Sequence, residues 1–180
     1  MTSFASTTAI AIRPTIPGDM AAIPRIYADA VRHGTATFEL EPPDEAEMAQ
    51  RWRTLADGGF PYLSAMIDDR VVGYAYAGPY RARPAYRWSV EDSIYVDPQF
   101  HRCGIGLRLI ERLVADAAAG GFRQMIAVIG DSAQTPSIAL HRAAGFAMIG
   151  TLRSVGFKHG RWLDTVLMQR PLGQGDDAPP

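Results

Sequence analysis

Apolar side chains recur at helical spacing in several segments of this chain. The clearest helix is predicted over residues 107–119, where one apolar stripe runs to a stop at Gly120-Gly121. Another is predicted over 20–31, where Pro24 must lie in the first turn or kink the helix because proline lacks the N–H that a helix interior needs. A third is predicted over 44–57, where an acidic first turn suits the positive end of the helix dipole.

Strand-like runs fill most of the remaining chain. Two of them, at 62–67 and 71–77, flank the acidic turn Asp68-Asp69 and predict a hairpin. A short helix is predicted from Thr135 as N-cap, with Pro136 in the first helical position and an end at Gly145. The other predicted strands cover 9–13, 89–96, 123–129, 147–155 and 162–169. This order of elements predicts an α/β (α+β) domain whose mixed, mostly antiparallel central sheet has helices on both faces.

We expect one domain over residues 8–172, because no repeat or charge block divides the sequence. The segment 173–180, GQGDDAPP, is too polar and proline-rich to bury a face, and we expect a flexible C-terminal tail there. Composition supports a folded domain of this size, since the 180 residues are 47% hydrophobic and 21% charged.

Charge and cysteine content restrict the classes of partner. Lys and Arg total 18 against 19 Asp and Glu, a net charge of -1, so we expect a small-molecule partner and no nucleic acid. The single cysteine excludes an internal disulfide, and the four scattered histidines show no zinc-ligand spacing, so no metal is expected.

No apolar run approaches the ~18 residues that cross a bilayer. The segment MTSFASTTAIAI lacks the basic residues of a secretory signal, and we expect a cytoplasmic protein without membrane contact.

One segment combines a strand, a break at Asp97-Pro98, a glycine-containing loop and the strong helix from Leu107. Gly104 and Gly106 allow close approach of the backbone to a ligand, and the free N–H groups of a first helical turn suit a phosphate. A lone G-x-G is a weak signal, and the third glycine of G-x-G-x-x-G is replaced by Leu109. The spacing alone fits an anion cradle and a plain tight turn equally well.

The run His101–Gly106 resembles the Q/R-x-x-G-x-G/A pyrophosphate loop of the GCN5-related N-acetyltransferase (GNAT) superfamily. Further runs resemble its phosphinothricin and methionine sulfoximine N-acetyltransferase branch, and the similarity extends from about Ile10 to about Pro171. These runs are Tyr86–Glu91, Ile94–Val96, Ala127–Gly130, Leu140-His141, Gly145-Phe146, Gly150–Arg153 and Gly156–Asp164.

The resemblance implies the GNAT fold, a homodimer and an acetyl-CoA-dependent enzyme. Its expected reaction is acetylation of the α-amino group of a small amino acid analogue, such as L-phosphinothricin or L-methionine sulfoximine. Two alternatives stay open at this point. One is an acetyltransferase for another amine, such as a polyamine, an aminoglycoside or a protein N-terminus. The other is an acetyl-CoA-binding module without catalytic activity.

An ammonium group has no lone pair, so this reaction needs a base before the nitrogen can attack. With the resemblance, Glu91 is the best candidate, acting directly or through water; without it, a solvent-facing strand glutamate is the simpler interpretation. His141 occupies the helix position where many superfamily members have a tyrosine thought to protonate the leaving thiolate. An imidazole there could serve as acid or as base, or it could simply pack against the helix.

The resemblance also implies the binding residues. For acetyl-CoA these are Ile94, Tyr95, Val96, Arg102, Cys103, Gly104, Ile105, Gly106, Leu107 and Gln134. For the acceptor they are Phe38, Arg81 and Tyr86, and the arginine suits a carboxylate or phosphinate because its planar fork makes two parallel bonds. A solvated loop charge is the alternative for Arg81. The resemblance implies direct transfer of the acetyl group without a cysteine intermediate, so we expect Cys103 to be a loop residue and no nucleophile.

Overall fold

The computed structural model describes residues 9–180. Residue 8, the expected start of the domain, and most of the amino-terminal segment discussed above lie outside the described residues. The described chain forms seven strands and four α-helices. These are β1 (Ile10–Pro14), α1 (Ile23–His33), α2 (Glu45–Asp57), β2 (Tyr62–Ile67), β3 (Arg70–Pro79), β4 (Ser89–Val96), α3 (Ile105–Ala119), β5 (Gln124–Gly130), α4 (Thr135–Ala143), β6 (Ala147–Lys158) and β7 (Arg161–Pro171).

All seven strands belong to one sheet in the order β1-β2-β3-β4-β5-β7-β6. Five of the neighbouring pairs are antiparallel, and the pair β4–β5 is parallel. The expected mixed, mostly antiparallel sheet is therefore confirmed. Two parallel neighbours need a crossover connection, and α3 supplies it between β4 and β5.

Helices cover both faces of the sheet, as the sequence predicts. One apolar cluster packs α1 and α2 against side chains such as Tyr62 and Tyr74. The other packs α3 against the opposite face, where Ala65, Val72 and Ala75 contribute. The alternation of neighbours such as Tyr74 and Ala75 between the clusters follows from the two-residue period of a strand. Within residues 9–180, none of the helices has both the length and the apolar character needed to cross a membrane.

Several predicted helix starts need correction. The helix predicted over 20–31 begins at Ile23, so Pro24 lies in its first turn, and Met20 belongs to a separate 3₁₀-helix, Pro17–Ala21. The helix predicted from Leu107 begins at Ile105, because Gly104 adopts a left-handed conformation and turns the chain directly into the helix. The short helix has Gln134, and not Thr135, as its N-cap, and the Gln134 side chain accepts no capping hydrogen bond from the helix. Its position follows from the preceding turn, in which Gln134 N–H donates to the Asp131 carbonyl at 3.0 Å.

The last two strands are longer than predicted. They form one hairpin that closes at His159-Gly160, and β6 lies at the edge of the sheet. Beyond β7, Leu172 is buried in the core. The Arg123 guanidinium donates to the Gln174 side chain at 3.4 Å and to the Pro179 carbonyl at 3.2 Å.

The parallel pair at the centre of the sheet ends early. Its register joins Ser89–Asp92 to Gln124–Ala127, although β4 continues to Val96 and β5 to Gly130. The ends of the two strands therefore separate, and this gap positions the site described below.

The N-cap of α2 offers a test of the helix assignment. The Asp44 side chain accepts a hydrogen bond from Glu47 N–H at 2.8 Å. We expect Asp44→Ala to lower the free energy of unfolding by about 1 kcal/mol, since one backbone donor of the first turn loses its partner. Asp57→Ala is the matched control, because this carboxylate lies at the other end of the same helix. Urea denaturation measures both, and an equal loss from the two variants would contradict the capping role.

Candidate active site

A cleft of about 850 Å³ opens where β4 and β5 separate. Residues 93–96 of β4 and 127–130 of β5 contribute to its walls, together with the start of α3 and part of α4. In the register of the sheet, residues 93–96 pair with β3 on one side and have no pairing with β5 on the other. Their backbone groups on the β5 side are thus available to an extended ligand, as a further strand would use them.

The loop between β4 and α3 borders this cleft. Gly104 has a φ of 79° and Arg102 a φ of 63°, so two residues of the loop are left-handed. The first turn of α3 follows immediately, and its backbone N–H groups have no partner within the helix. His101 helps to hold the loop on the strand, since its Nε2 donates to the Val96 carbonyl at 3.0 Å. The arrangement suits an anionic phosphate group.

Glu91 lines the same cleft from β4. Burial raises the pKa of this carboxyl group to about 7, and the adjacent Asp92 carboxylate adds to the effect. The Arg81 guanidinium acts in the opposite direction and lowers the pKa of Glu91. A carboxyl group with a pKa near neutrality is suited to general base catalysis.

His141 lines the cleft from α4, and each of its two ring nitrogens makes a hydrogen bond. Its Nε2 lies 2.9 Å from Oδ2 of Asp92, and its Nδ1 lies 2.7 Å from the Ser137 carbonyl oxygen. Burial alone would lower the pKa of His141, but the hydrogen bond and charge of Asp92 and the Ser137 carbonyl outweigh it, so the pKa is raised.

A loop between α1 and α2 forms another wall. Phe38 lines the cleft and packs so closely against Gly156 that a Cβ atom at this position would clash with the ring. Lys158 is buried and donates from Nζ to the Thr37 carbonyl at 2.8 Å. Asp131 accepts from Thr35 Oγ1 at 3.1 Å and also binds the Arg161 guanidinium. The β6–β7 hairpin and the loop after β5 thus brace the wall that carries Phe38.

Most of the residues expected from the sequence meet in this cleft. The twelve that line it are Phe38, Glu91, Ile94, Tyr95, Val96, Arg102, Gly104, Ile105, Gly106, Leu107, Gln134 and His141. Cys103, Arg81 and Tyr86 do not line it. Cys103 is exposed. Arg81 lies over the Tyr80 ring, 5.1 Å from its centroid, and Tyr86 meets the same ring edge-on at 5.7 Å.

Sequence reasoning missed Asp92, which is buried and hydrogen-bonded to His141. A signal for it was present in the strand pattern. Val90, Asp92 and Ile94 occupy alternate positions of β4 and therefore share one face of the sheet. Because Val90 and Ile94 are apolar, this face is expected to be buried, and Asp92 is a carboxylate on it. Tyr76 was missed as well; it lines the cleft from β3.

The cleft combines an unpaired strand segment, a phosphate-type loop and a carboxyl group that titrates near neutrality. Such a combination can bind a long anionic ligand and remove a proton from a second one. Residues 23–146 match the acetyltransferase (GNAT) family.

Relatives of known activity cover nearly the whole chain. Phosphinothricin N-acetyltransferase of Alcaligenes faecalis is 50% identical over 172 residues, which are 96% of this chain and 87% of that protein. L-methionine sulfoximine/L-methionine sulfone acetyltransferase of Pseudomonas aeruginosa is 38% identical over 169 residues, 93% of this chain and 98% of that protein.

A solved structure supports both the expected fold and the expected cosubstrate. The crystal structure of a GNAT superfamily phosphinothricin acetyltransferase from Sinorhizobium meliloti in complex with acetyl-CoA is 50% identical and superposes with a TM-score of 0.92. The match covers 95% of this chain and 92% of that chain. The expected GNAT fold is confirmed, and the chain belongs to the acetyltransferase (GNAT) family as an acetyl-CoA-dependent N-acetyltransferase.

Proposed function

We propose that this enzyme acetylates the α-amino group of a small amino acid analogue such as L-phosphinothricin or L-methionine sulfoximine. Glu91 carries the proposal, because burial gives it a pKa of about 7 in the wall of the cleft. The named activities of relatives at 50% and 38% identity support the substrate class.

For acetyl-CoA, which supplies the acetyl group as a thioester, we propose the residues that the sequence indicates. The unpaired side of Ile94–Val96 suits the amide groups of the pantetheine arm, and the loop from Arg102 to Leu107 suits the pyrophosphate. A side chain at Gly104 would meet no atom within 4 Å, so this part of the loop is open to a ligand. Gln134 lines the cleft nearby, but its amide already donates to Thr35 Oγ1 at 3.0 Å.

For the acceptor we propose Phe38 as a wall and Arg81 with Tyr86 as groups at the entrance. Arg81 is exposed, and its positive charge lowers the pKa of Glu91. A guanidinium at this place suits the carboxylate or phosphinate of the proposed acceptor, whose ammonium group would then face Glu91.

Glu91 is favoured over His141 as the general base. A base must offer a free lone pair to the ammonium group of the substrate. Both ring nitrogens of His141 instead face a hydrogen-bond acceptor atom of the protein. Glu91 lies in the cleft with a pKa of about 7, so a substantial fraction of its carboxyl group is ionised at neutral pH. The proton of the acceptor ammonium passes to this carboxylate, directly or through one water.

The substrate proposal is tested by acetyl-CoA-dependent thiol release with the purified enzyme. The acceptors are L-phosphinothricin, L-methionine sulfoximine, methionine sulfone, ordinary amino acids, spermidine, an aminoglycoside and a short peptide. We expect saturable release with the first three. Turnover confined to the other amines would overturn the substrate class, and CoA binding without any turnover would favour a non-catalytic module.

The base is tested by Glu91→Gln. We expect kcat to fall by roughly 10²- to 10⁴-fold, because the amide cannot accept the proton. In the wild type kcat/KM should rise with pH through about 7, as the carboxyl group of Glu91 loses its proton, and this limb should vanish in the variant. Glu111→Gln, an exposed site on α3, is the control. A rate within a few-fold of wild type would remove Glu91 from the mechanism.

The loop is tested by Gly104→Ala. The left-handed φ of 79° costs an L-residue about 1–2 kcal/mol, so both the free energy of unfolding and the affinity for CoA should fall. Gly121→Ala is a matched control at the other end of α3, where φ is 86° and the side chain also has free space. It should lose similar stability without a change in CoA affinity. Calorimetric titration measures the affinity of each variant for CoA. Equal affinity in both variants would contradict binding of the CoA pyrophosphate by the loop at Gly104.

We propose a homodimer as the functional assembly, in which β6 meets a second copy. This edge strand of twelve residues is exposed along almost its whole length. It carries large apolar side chains that are about half exposed, and Trp162 of β7 is 63% exposed. An exposed apolar edge of this kind marks an interaction surface. The apolar side chains on β6 are Met148, Ile149, Leu152, Val155 and Phe157.

The dimer is tested by the double variant Ile149→Asp/Leu152→Asp. We expect the wild type to have the mass of two chains in light scattering after gel filtration, and the variant that of one, because two buried carboxylates would be unpaired. Leu40→Asp, which alters an exposed leucine outside β6 and β7, is the control. A monomeric wild type would overturn the proposal.

We also propose a cytoplasmic location and a single domain over residues 8–172 with a flexible tail at 173–180. The cosubstrate and the exposed free thiol of Cys103 are compatible with a reducing compartment. Leu172 belongs to the core, whereas residues 173–180 form neither helix nor strand.

A further inference from the structure

Asp92 and His141 form a buried pair that joins β4 to α4 at the cleft. The Asp92 side chain is 2% exposed and that of His141 is 5% exposed. The two residues are 49 positions apart in sequence, and their side chains meet at 2.9 Å. Both line the cleft in which we place the reaction.

The two contacts of the imidazole fix its protons. A carbonyl oxygen only accepts, so Nδ1 must carry a proton that it donates to Ser137. The contact between Nε2 and the Asp92 carboxylate needs a second proton, since two lone pairs would otherwise face each other. Imidazole is a stronger base than carboxylate, which assigns this proton to Nε2. His141 is then an imidazolium, and neither nitrogen has a free lone pair.

Asp92 is the charged group that determines the protonation of His141. The other neighbours of the imidazole are uncharged: Ser137 Oγ lies 3.4 Å from Nδ1, farther than the Ser137 carbonyl oxygen at 2.7 Å, and the Phe146 ring meets the imidazole edge-on at 5.1 Å. Glu91 is adjacent in sequence, but successive side chains of a strand point to opposite faces. Oδ1 of Asp92 has no hydrogen-bond partner among residues 9–180. The contact with His141 is therefore what compensates this carboxylate for burial.

We propose that Asp92 is a positioning residue that holds His141 as a doubly protonated imidazolium, a fixed positive charge at the wall of the cleft. In this state His141 cannot take the proton of the acceptor, and that role falls to Glu91. A fixed positive charge stabilises negative charge that develops nearby during acyl transfer. The raised pKa of His141 agrees with this state. The kinetic part rests on the proposed function, whereas the protonation of His141 does not.

The protonation state is measured by ¹⁵N NMR of the histidine rings in the full-length wild-type protein. His141→Phe assigns the signal, and the three exposed histidines give reference signals in the same spectrum. At about pH 8, above the ordinary histidine value, we expect both ring nitrogens of His141 to be protonated. A neutral ring at this pH would overturn the proposal, whatever the enzyme acetylates.

The role of Asp92 is measured with Asp92→Asn. We expect His141 to become neutral at about pH 8 and kcat to fall about 10- to 100-fold, with the KM for acetyl-CoA unchanged. Asp116→Asn is the control, since this carboxylate pairs with Arg112 on α3, away from the cleft. An imidazolium that persists in Asp92→Asn, or a neutral ring with unchanged kcat, would overturn the assignment. Failure of Glu91→Gln to lower kcat would instead count against the proposed base.

Discussion

The site depends on the early end of the one parallel strand pair in the sheet. After four paired residues, β4 and β5 separate, and the backbone of 93–96 remains unpaired on that side. Because parallel neighbours need a crossover, α3 must start at the end of β4, and its free N–H groups therefore lie beside the gap. One topological feature thus supplies both the unpaired strand and the phosphate-type loop.

The same strand provides two carboxyl groups with different environments. Glu91 has no compensating hydrogen bond among the described contacts, so burial acts on it directly and raises its pKa to about 7. Asp92, on the other face, meets the imidazole of His141. Two adjacent residues of one strand can therefore have separate roles, since the two-residue period places their side chains in different surroundings.

Sequence patterns predicted the elements far better than the contacts between them. The bounds of β4 at Ser89 and Val96 agree with the prediction because apolar alternation and Asp97-Pro98 are local signals. The predicted start of α4 was wrong. The preceding turn is closed by the hydrogen bond from Gln134 N–H to the Asp131 carbonyl, and the Thr135 hydroxyl does not cap the helix. The Asp92–His141 contact joins two elements across 49 residues, and no local spacing encodes such a pair.

The proposed acceptor side of the cleft is built differently from the proposed cofactor side. The proposed cofactor side is formed by strand backbone and a helix terminus, which follow from the topology of the sheet. The wall with Phe38 belongs to a loop that is held by side chains of the β6–β7 hairpin, such as Lys158 and Arg161, through Thr37 and Asp131. Substitutions in this loop can therefore change which amine fits without altering the sheet. This separation fits the names of two relatives, of which one is named for phosphinothricin and the other for methionine sulfoximine and methionine sulfone.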